Sequence, residues 1–226
     1  YQALYTNTTS NYNTAIGEKA LYTNNGSSNT GVGRMSLYTN STGANNTAVG
    51  LNALYANTTA SNNTALGYQA LTANTTGTGN VAVGSGSLDA NTTSSDNTSV
   101  GYAALSANTA ANNTAVGSNA LNGNTTGIYN TAVGRVALYT NTTGSNLTAM
   151  GFDALRSNTT GNDNTAFGFQ ALRTNTTGVN NVGVGVSALR ANSTGTNSVA
   201  VGKDALIANT TGGNNVAVGY QAFESN

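Results

Sequence analysis

The sequence predicts an all-β protein, a parallel β-solenoid (β-roll) with coils of about 17 residues, thirteen complete and one partial, in a single repeat domain over 1–226. Three observations predict it. Asparagine recurs at Asn7, Asn24, Asn40, Asn57, Asn74, Asn91, Asn108, Asn124, Asn141, Asn158, Asn175, Asn192, Asn209 and Asn226. Glycine closes every complete coil, from Gly17 to Gly219, and Leu stands fourth in each coil from Leu4 to Leu206, with Phe223 in the partial one. A short fixed period of this kind marks a repeat architecture, in which a unit buries its apolar face only by stacking on its neighbours.

The unit reads x-x-Ala-Leu-x-x-Asn-Thr-Thr-Gly-x-Asn-Asn-Thr-Ala-Val-Gly, numbered here as positions 1 to 17. Coils begin at residues 1, 18, 34, 51, 68, 85, 102, 118, 135, 152, 169, 186 and 203, and the partial coil at 220. Coils 18–33 and 102–117 lack one residue in the Asn-Thr-Thr-Gly stretch, which places that stretch in a loop, where length varies. Positions 13 to 16 read as a short strand, because position 16 is apolar in every coil and position 14 alternates between Thr and Val, β-branched residues two apart on one side. Position 17, always Gly, is a turn with positive φ or no room for a Cβ. Positions 2 to 5 read as a second strand, with a short helix over positions 1 to 6 as the competing local reading, since so short a run has no decisive periodicity. With coils stacked about 4.8 Å apart, thirteen of them predict a thin rod roughly 60 Å long.

Leu at position 4 is expected to pack on the apolar position 16 as the core. Positions 3 and 15 would then face away, and they are almost all Ala, with Ser36, Ser87, Ser99, Gly31 and Gly183 as exceptions. Small side chains on an outward face predict a close-packed partner, most simply identical chains side by side as a homotrimer; Ala fitting a tight coil bend is the alternative. One Leu and one or two β-branched residues per coil do not offset the ordering of 17 residues, so ladders between coils are expected to carry much of the fold.

Composition narrows function. Lys plus Arg and Asp plus Glu number seven each, and charged residues are 6% of the chain, which gives no basic patch for nucleic acid. There is no Cys and no His; disulfides, thiolate or imidazole metal sites, and Ser-His-Asp or Cys-His catalysis are therefore excluded. The expectation is a non-enzyme with no cofactor and no metal. Asp89 with Asp96, and Asp153 with Asp163, are the only carboxylate pairs with a glycosidase-like aspect, and a solvated face accounts for them. No apolar run approaches the roughly 18 residues of a membrane helix, so contact with a membrane is expected only through regions outside this chain. Opening on Tyr1-Gln2-Ala3-Leu4 and stopping at Asn226, each inside a repeat, the chain reads as a segment of a longer fibre.

The segment Asn-Thr-Ala-Val-Gly-x-x-Ala, as in Asn46-Thr47-Ala48-Val49-Gly50-Leu51-Asn52-Ala53 and again from Asn130 to Ala137, resembles the head repeat of YadA-like trimeric autotransporter adhesins, and similar repeats of phage tail-fibre-like proteins. The resemblance extends over every coil. It implies a left-handed parallel β-roll, three chains side by side, and display on a cell or virion surface with binding of host or matrix molecules. The enlarged Asn-Thr-Thr-Gly-x-Asn loop departs from it, since the head repeats are shorter.

Charges occur only at positions 1, 2, 5 and 12, which marks these as solvent-facing columns. Position 5 carries Tyr5, Tyr22, Tyr38, Tyr55 and Tyr139, then Arg156, Arg173 and Arg190. Flat aromatic faces suit sugar rings and forked Arg donors suit carboxylate or phosphate, so these eight residues are the candidate glycan- or surface-binding set. A Tyr ladder and solvated Arg, balanced by Asp153, Asp163 and Asp204, are the structural alternative. The Asn column at position 7 reads either as an amide ladder between coils or as a row of Asn-Thr/Ser-Thr acceptor sequons. Asn24 and Asn108 keep the Asn and lose the sequon, which favours the ladder. The functional expectation is an extracellular fibre or adhesin module that presents repeated columns for surface or glycan attachment. Ice binding through the Asn-Thr-Thr rows is an alternative, and glycan depolymerisation a more distant one.

Overall fold

A computed structural model describes residues 1–224 and shows an all-β chain without helix, built as a parallel β-solenoid. Each complete coil contributes one three-residue strand at positions 14 to 16, from β1 (Thr14–Ile16) and β2 (Thr30–Val32) through β3 (Thr47–Val49), β4 (Thr64–Leu66), β5 (Val81–Val83) and β6 (Thr98–Val100). The series continues with β7 (Thr114–Val116), β8 (Thr131–Val133), β9 (Thr148–Met150), β10 (Thr165–Phe167), β11 (Val182–Val184), β12 (Val199–Val201) and β13 (Val216–Val218). The chain divides into two compact units, Tyr1–Asn112 and Asn113–Asn226. In the first, β1 to β6 pair in sequence order, parallel and in register, so that Ala48 stands beside Ala65 and Ala65 beside Ala82. The second unit pairs β7 to β13 in the same way.

The core holds Leu at position 4, as expected, but its other members are positions 3 and 15 and not position 16. Position 15 points inward: Ala48, Ala65, Ala82, Ala132, Ala149 and Ala166 are fully buried, as are the position-3 alanines Ala53, Ala70, Ala137 and Ala154. Leu at position 4 fills the remaining space, with Leu21, Leu54, Leu105, Leu155 and Leu189 fully buried. Position 16 faces outward instead, with Val49 38% and Phe167 45% exposed. The interior of so narrow a coil takes one Leu and two methyl groups, so alternation along the strand puts the larger side chains outside. The alanines therefore reflect a tight coil and not a partner's surface. Where position 15 is Ser, the hydroxyl is paired internally: Ser87 Oγ donates to Ser99 Oγ at 2.7 Å, and Ser99 Oγ to the Ala104 carbonyl at 2.8 Å.

The expected second strand at positions 2 to 5 is not formed, nor is the helix. That segment is a run of turns, because the residues at positions 2 and 4 have positive φ, near +55° at Gln69 and +52° at Leu71. A strand requires negative φ throughout. The amide of position 3 donates to the carbonyl of position 17, as Ala70 to Gly67 at 3.4 Å, and the amide of position 7 donates to that of position 4, as Asn57 to Leu54 at 3.2 Å. Between these turns, backbone amides reach neighbouring coils: Leu54 to Ala70, Ala56 to Thr72 and Gln69 to Leu51. The backbone ladder thus extends well beyond the three strand residues, which satisfies groups a thin coil would otherwise leave unpaired.

Candidate functional site

Two asparagine columns run inside the coil, not one. At position 7 the side-chain amide donates in most coils to Oδ1 of the preceding coil, as Asn57 to Asn40 at 2.7 Å and Asn158 to Asn141 at 2.8 Å, and also to the position-10 carbonyl of its own coil, whereas Asn24 reaches Ser10 Oγ at 3.4 Å in place of the Asn7 side chain. The column is buried, with Asn24, Asn40, Asn57, Asn74, Asn91, Asn108, Asn124, Asn141, Asn158, Asn175 and Asn192 at 0% exposure, so the folded chain does not present these sequons. Asn7, in the first coil, is half-buried and Asn209 is 2% exposed. Asn226 lies outside the described residues. Position 13, Asn in eleven of thirteen coils, is the second column. Its Oδ1 accepts from the backbone amide of position 13 in the next coil, as Asn46 from Asn63 at 3.0 Å. Its Nδ2 donates to the next coil's position-10 carbonyl, as Asn63 to Gly77 at 2.9 Å, which Asn74 also reaches at 2.9 Å. The two columns thus converge on one carbonyl per coil. Leu147 interrupts the second column, and the shortened coil interrupts the first, where Asn91 Oδ1 is buried and accepts no hydrogen bond.

On the outside, the structure brings the four N-terminal members of the position-5 column together. Tyr5, Tyr22, Tyr38 and Tyr55 stack with ring centroids 5.1, 5.1 and 5.2 Å apart. Tyr139 stands in the same column of the second unit without a neighbouring ring at position 5, since Asn122 and Arg156 flank it. Arg156 and Arg173 converge on Asp153, a buried position-2 carboxylate, at 3.6 and 3.2 Å, while Arg190 is exposed. Asp163 and Asp204 have other partners, the Asn146 side-chain amide at 3.0 Å and Lys203 at 3.7 Å. The arginine strip is thus two clamped guanidinium groups followed by one open to solvent. Asp153→Asn keeps the shape and removes the charge. We expect it to lower the unfolding free energy by about 1 kcal/mol in low salt and less in high salt, read by urea denaturation at two ionic strengths.

Position 1 forms another external column. Phe152 stacks on Phe169 at 5.6 Å with Arg135 over the Phe152 ring at 5.6 Å, and Lys203 lies 5.6 Å over Tyr220. Its aromatic residues, Tyr1, Tyr68, Tyr102, Phe152, Phe169 and Tyr220, are spaced by whole coils in the sequence, and that spacing is the signal that identifies the column. The Asn-Thr-Thr rows are partly consumed by the fold: Thr58 Oγ1 donates to the Thr75 carbonyl and Thr159 Oγ1 to the Thr176 carbonyl. Among the described residues no three His, Cys, Asp or Glu side chains group together, and no helix is long and apolar enough to cross a membrane. No protein-family model matches the chain, and no curated protein matches it.

Proposed function

We propose that the chain is a structural, extracellular fibre or adhesin module, displayed on a cell or virion surface, whose copies associate side by side as a homotrimer. The observation that carries this reading is the outer face of the strands. Positions 14 and 16 present Thr or Val beside Val, Ile, Leu, Met or Phe, with no charged residue in any coil, and position 16 is half-buried to exposed throughout. An uncharged apolar surface repeated in this way marks an association face. The partner surface is therefore this face, not the buried alanines, and the aromatic and arginine columns at positions 1 and 5 are left to meet surface or matrix glycans.

Light scattering on the intact chain tests it, with an expected mass three times the 22.6 kDa of one chain. Val49→Lys combined with Val83→Lys is expected to give monomers whose circular dichroism is unchanged. A monomeric parent chain overturns the association. A monomer with thermal hysteresis would favour the second reading, ice binding, for which the same rows of Thr and Val supply the regular face.

A further inference from the structure

We infer that the notch between Tyr68 and Tyr102 binds a single pyranose ring. Both tyrosines stand at position 1, in coils two apart, and the coil between them carries Ser85-Gly86 where its neighbours carry Tyr68-Gln69 and Tyr102-Ala103. In the same column Phe152 and Phe169, one coil apart, stack at 5.6 Å. The notch is therefore a ring stack with its middle ring left out, and two coil spacings put its walls roughly 9–10 Å apart. The cavity measures about 280 Å³ and both tyrosines line it, with Ser85, Gly86, Asp89 and Ser106. That is just below the roughly 300–1,000 Å³ of sites for drug-sized ligands, a size for one ring and not a chain of them.

The lining defines the chemistry. Asp89 lines the cavity, and its Oδ1, shut off from solvent, accepts no hydrogen bond within the protein, so the carboxylate gains a partner by turning toward a donor in the notch. Gly86 keeps the space open, since a Cβ there would meet nothing nearer than Asp89 Oδ2 at 3.8 Å. A flat ring between two aromatic faces needs only about 7–8 Å at ordinary carbon contact distances and would sit loosely. A puckered pyranose is thicker, offers C–H groups to both tyrosine faces, and carries equatorial hydroxyls for Asp89, Ser85 and Ser106. A quaternary ammonium also matches two rings and a carboxylate, but it has no use for the two serines.

The inference rests on the glycan-contacting part of the proposed function and is tested separately from it. Methyl glycosides of glucose, galactose, mannose and N-acetylglucosamine, titrated onto the intact chain and followed by saturation-transfer NMR, are expected to include at least one ligand with a Kd of about 1 mM or tighter. Ser85→Tyr restores the missing ring. It should abolish that binding and leave the unfolding midpoint equal or higher. Tyr102→Ala and Asp89→Asn should each weaken binding at least about tenfold, the loss of one stacking face or one charge-assisted bond. Failure of all four glycosides to bind overturns the slot, as does binding of tetramethylammonium in their place. Binding that survives Ser85→Tyr but disappears in Tyr22→Ser/Tyr38→Ser also overturns it, moving glycan contact to the position-5 column and leaving the wider reading intact.

Discussion

Gly50→Ala is expected to lower the unfolding free energy by about 3–5 kcal/mol, the upper range for a single substitution. Gly50 has φ near +136°, a conformation that L side chains rarely adopt. A Cβ added there would stand 2.3 Å from the Gly67 carbonyl oxygen and 2.7 Å from its carbon. Both obstacles are backbone, so no rotamer change relieves the clash. A Cβ on Gly67 would likewise stand 2.6 Å from the Gly84 carbonyl oxygen, so the next coil leaves no room for this one to move aside. Urea denaturation measures the loss, and hydrogen exchange should place it first in the coils at 34–67. Thr59→Ala, on the exposed edge of the same coil pair, is the control and should stay within about 0.5 kcal/mol. An unchanged midpoint for Gly50→Ala would remove the close glycine contact from the account of the fold.

Asn175→Asp is expected to cost about 3–5 kcal/mol despite being nearly isosteric. The Asn175 amide donates to Asn158 Oδ1 at 2.9 Å and to the Gly178 carbonyl at 3.0 Å, while its Oδ1 accepts from Asn192 at 2.9 Å. Aspartate retains the acceptor and loses both donors, which sets oxygen against oxygen twice and leaves a charge in a site with 0% exposure. Thr177→Asp adds the same charge two residues away on an exposed position and should be nearly neutral. If the two variants unfold alike in urea, the amide column contributes little and the backbone ladders hold the coil by themselves.

The coil boundaries and a strand at positions 13 to 16, one residue longer than the strand that forms, follow from the repeat pattern, because every coil must repeat the same pairing for a solenoid to stack. Which face of that strand points inward does not follow. Alternation separates Ala48 from Val49 and is silent on the width of the coil, and only the three-dimensional path shows that Val is too large for the interior. Positions 2 to 5 resist reading for another reason. Leu is unremarkable in sequence, whereas here Leu4, Leu21 and their successors adopt φ near +50°, a region more natural to Gly or Asn. The position-5 tyrosines were legible as a column, since stacking follows from the period. Capture of Arg156 and Arg173 by Asp153 was not, because it joins positions 2 and 5, whose proximity depends on those unexpected turns. Asn at position 13 was visible in eleven coils, but its role depends on a carbonyl of the next coil, as Asn63 on that of Gly77, and sequence does not encode where that carbonyl points.

The recurring left-handed leucine has a kinetic consequence. In L residues this conformation is unfavourable by roughly 1–2 kcal/mol when taken alone, and each coil contains it at positions 2, 4 and 12, as at Gln69, Leu71 and Asn62 of neighbouring coils. The amide and backbone bonds that compensate lie mostly between coils, as Leu54 to Ala70 and Asn57 to Asn40. A first coil thus bears the strain before it has a neighbour to bond, whereas each later one docks onto a finished template. Folding in either unit should begin with a slow nucleation event spanning several coils and continue by rapid one-coil additions, so the lag before growth, not the rate of growth, governs how fast the native chain appears.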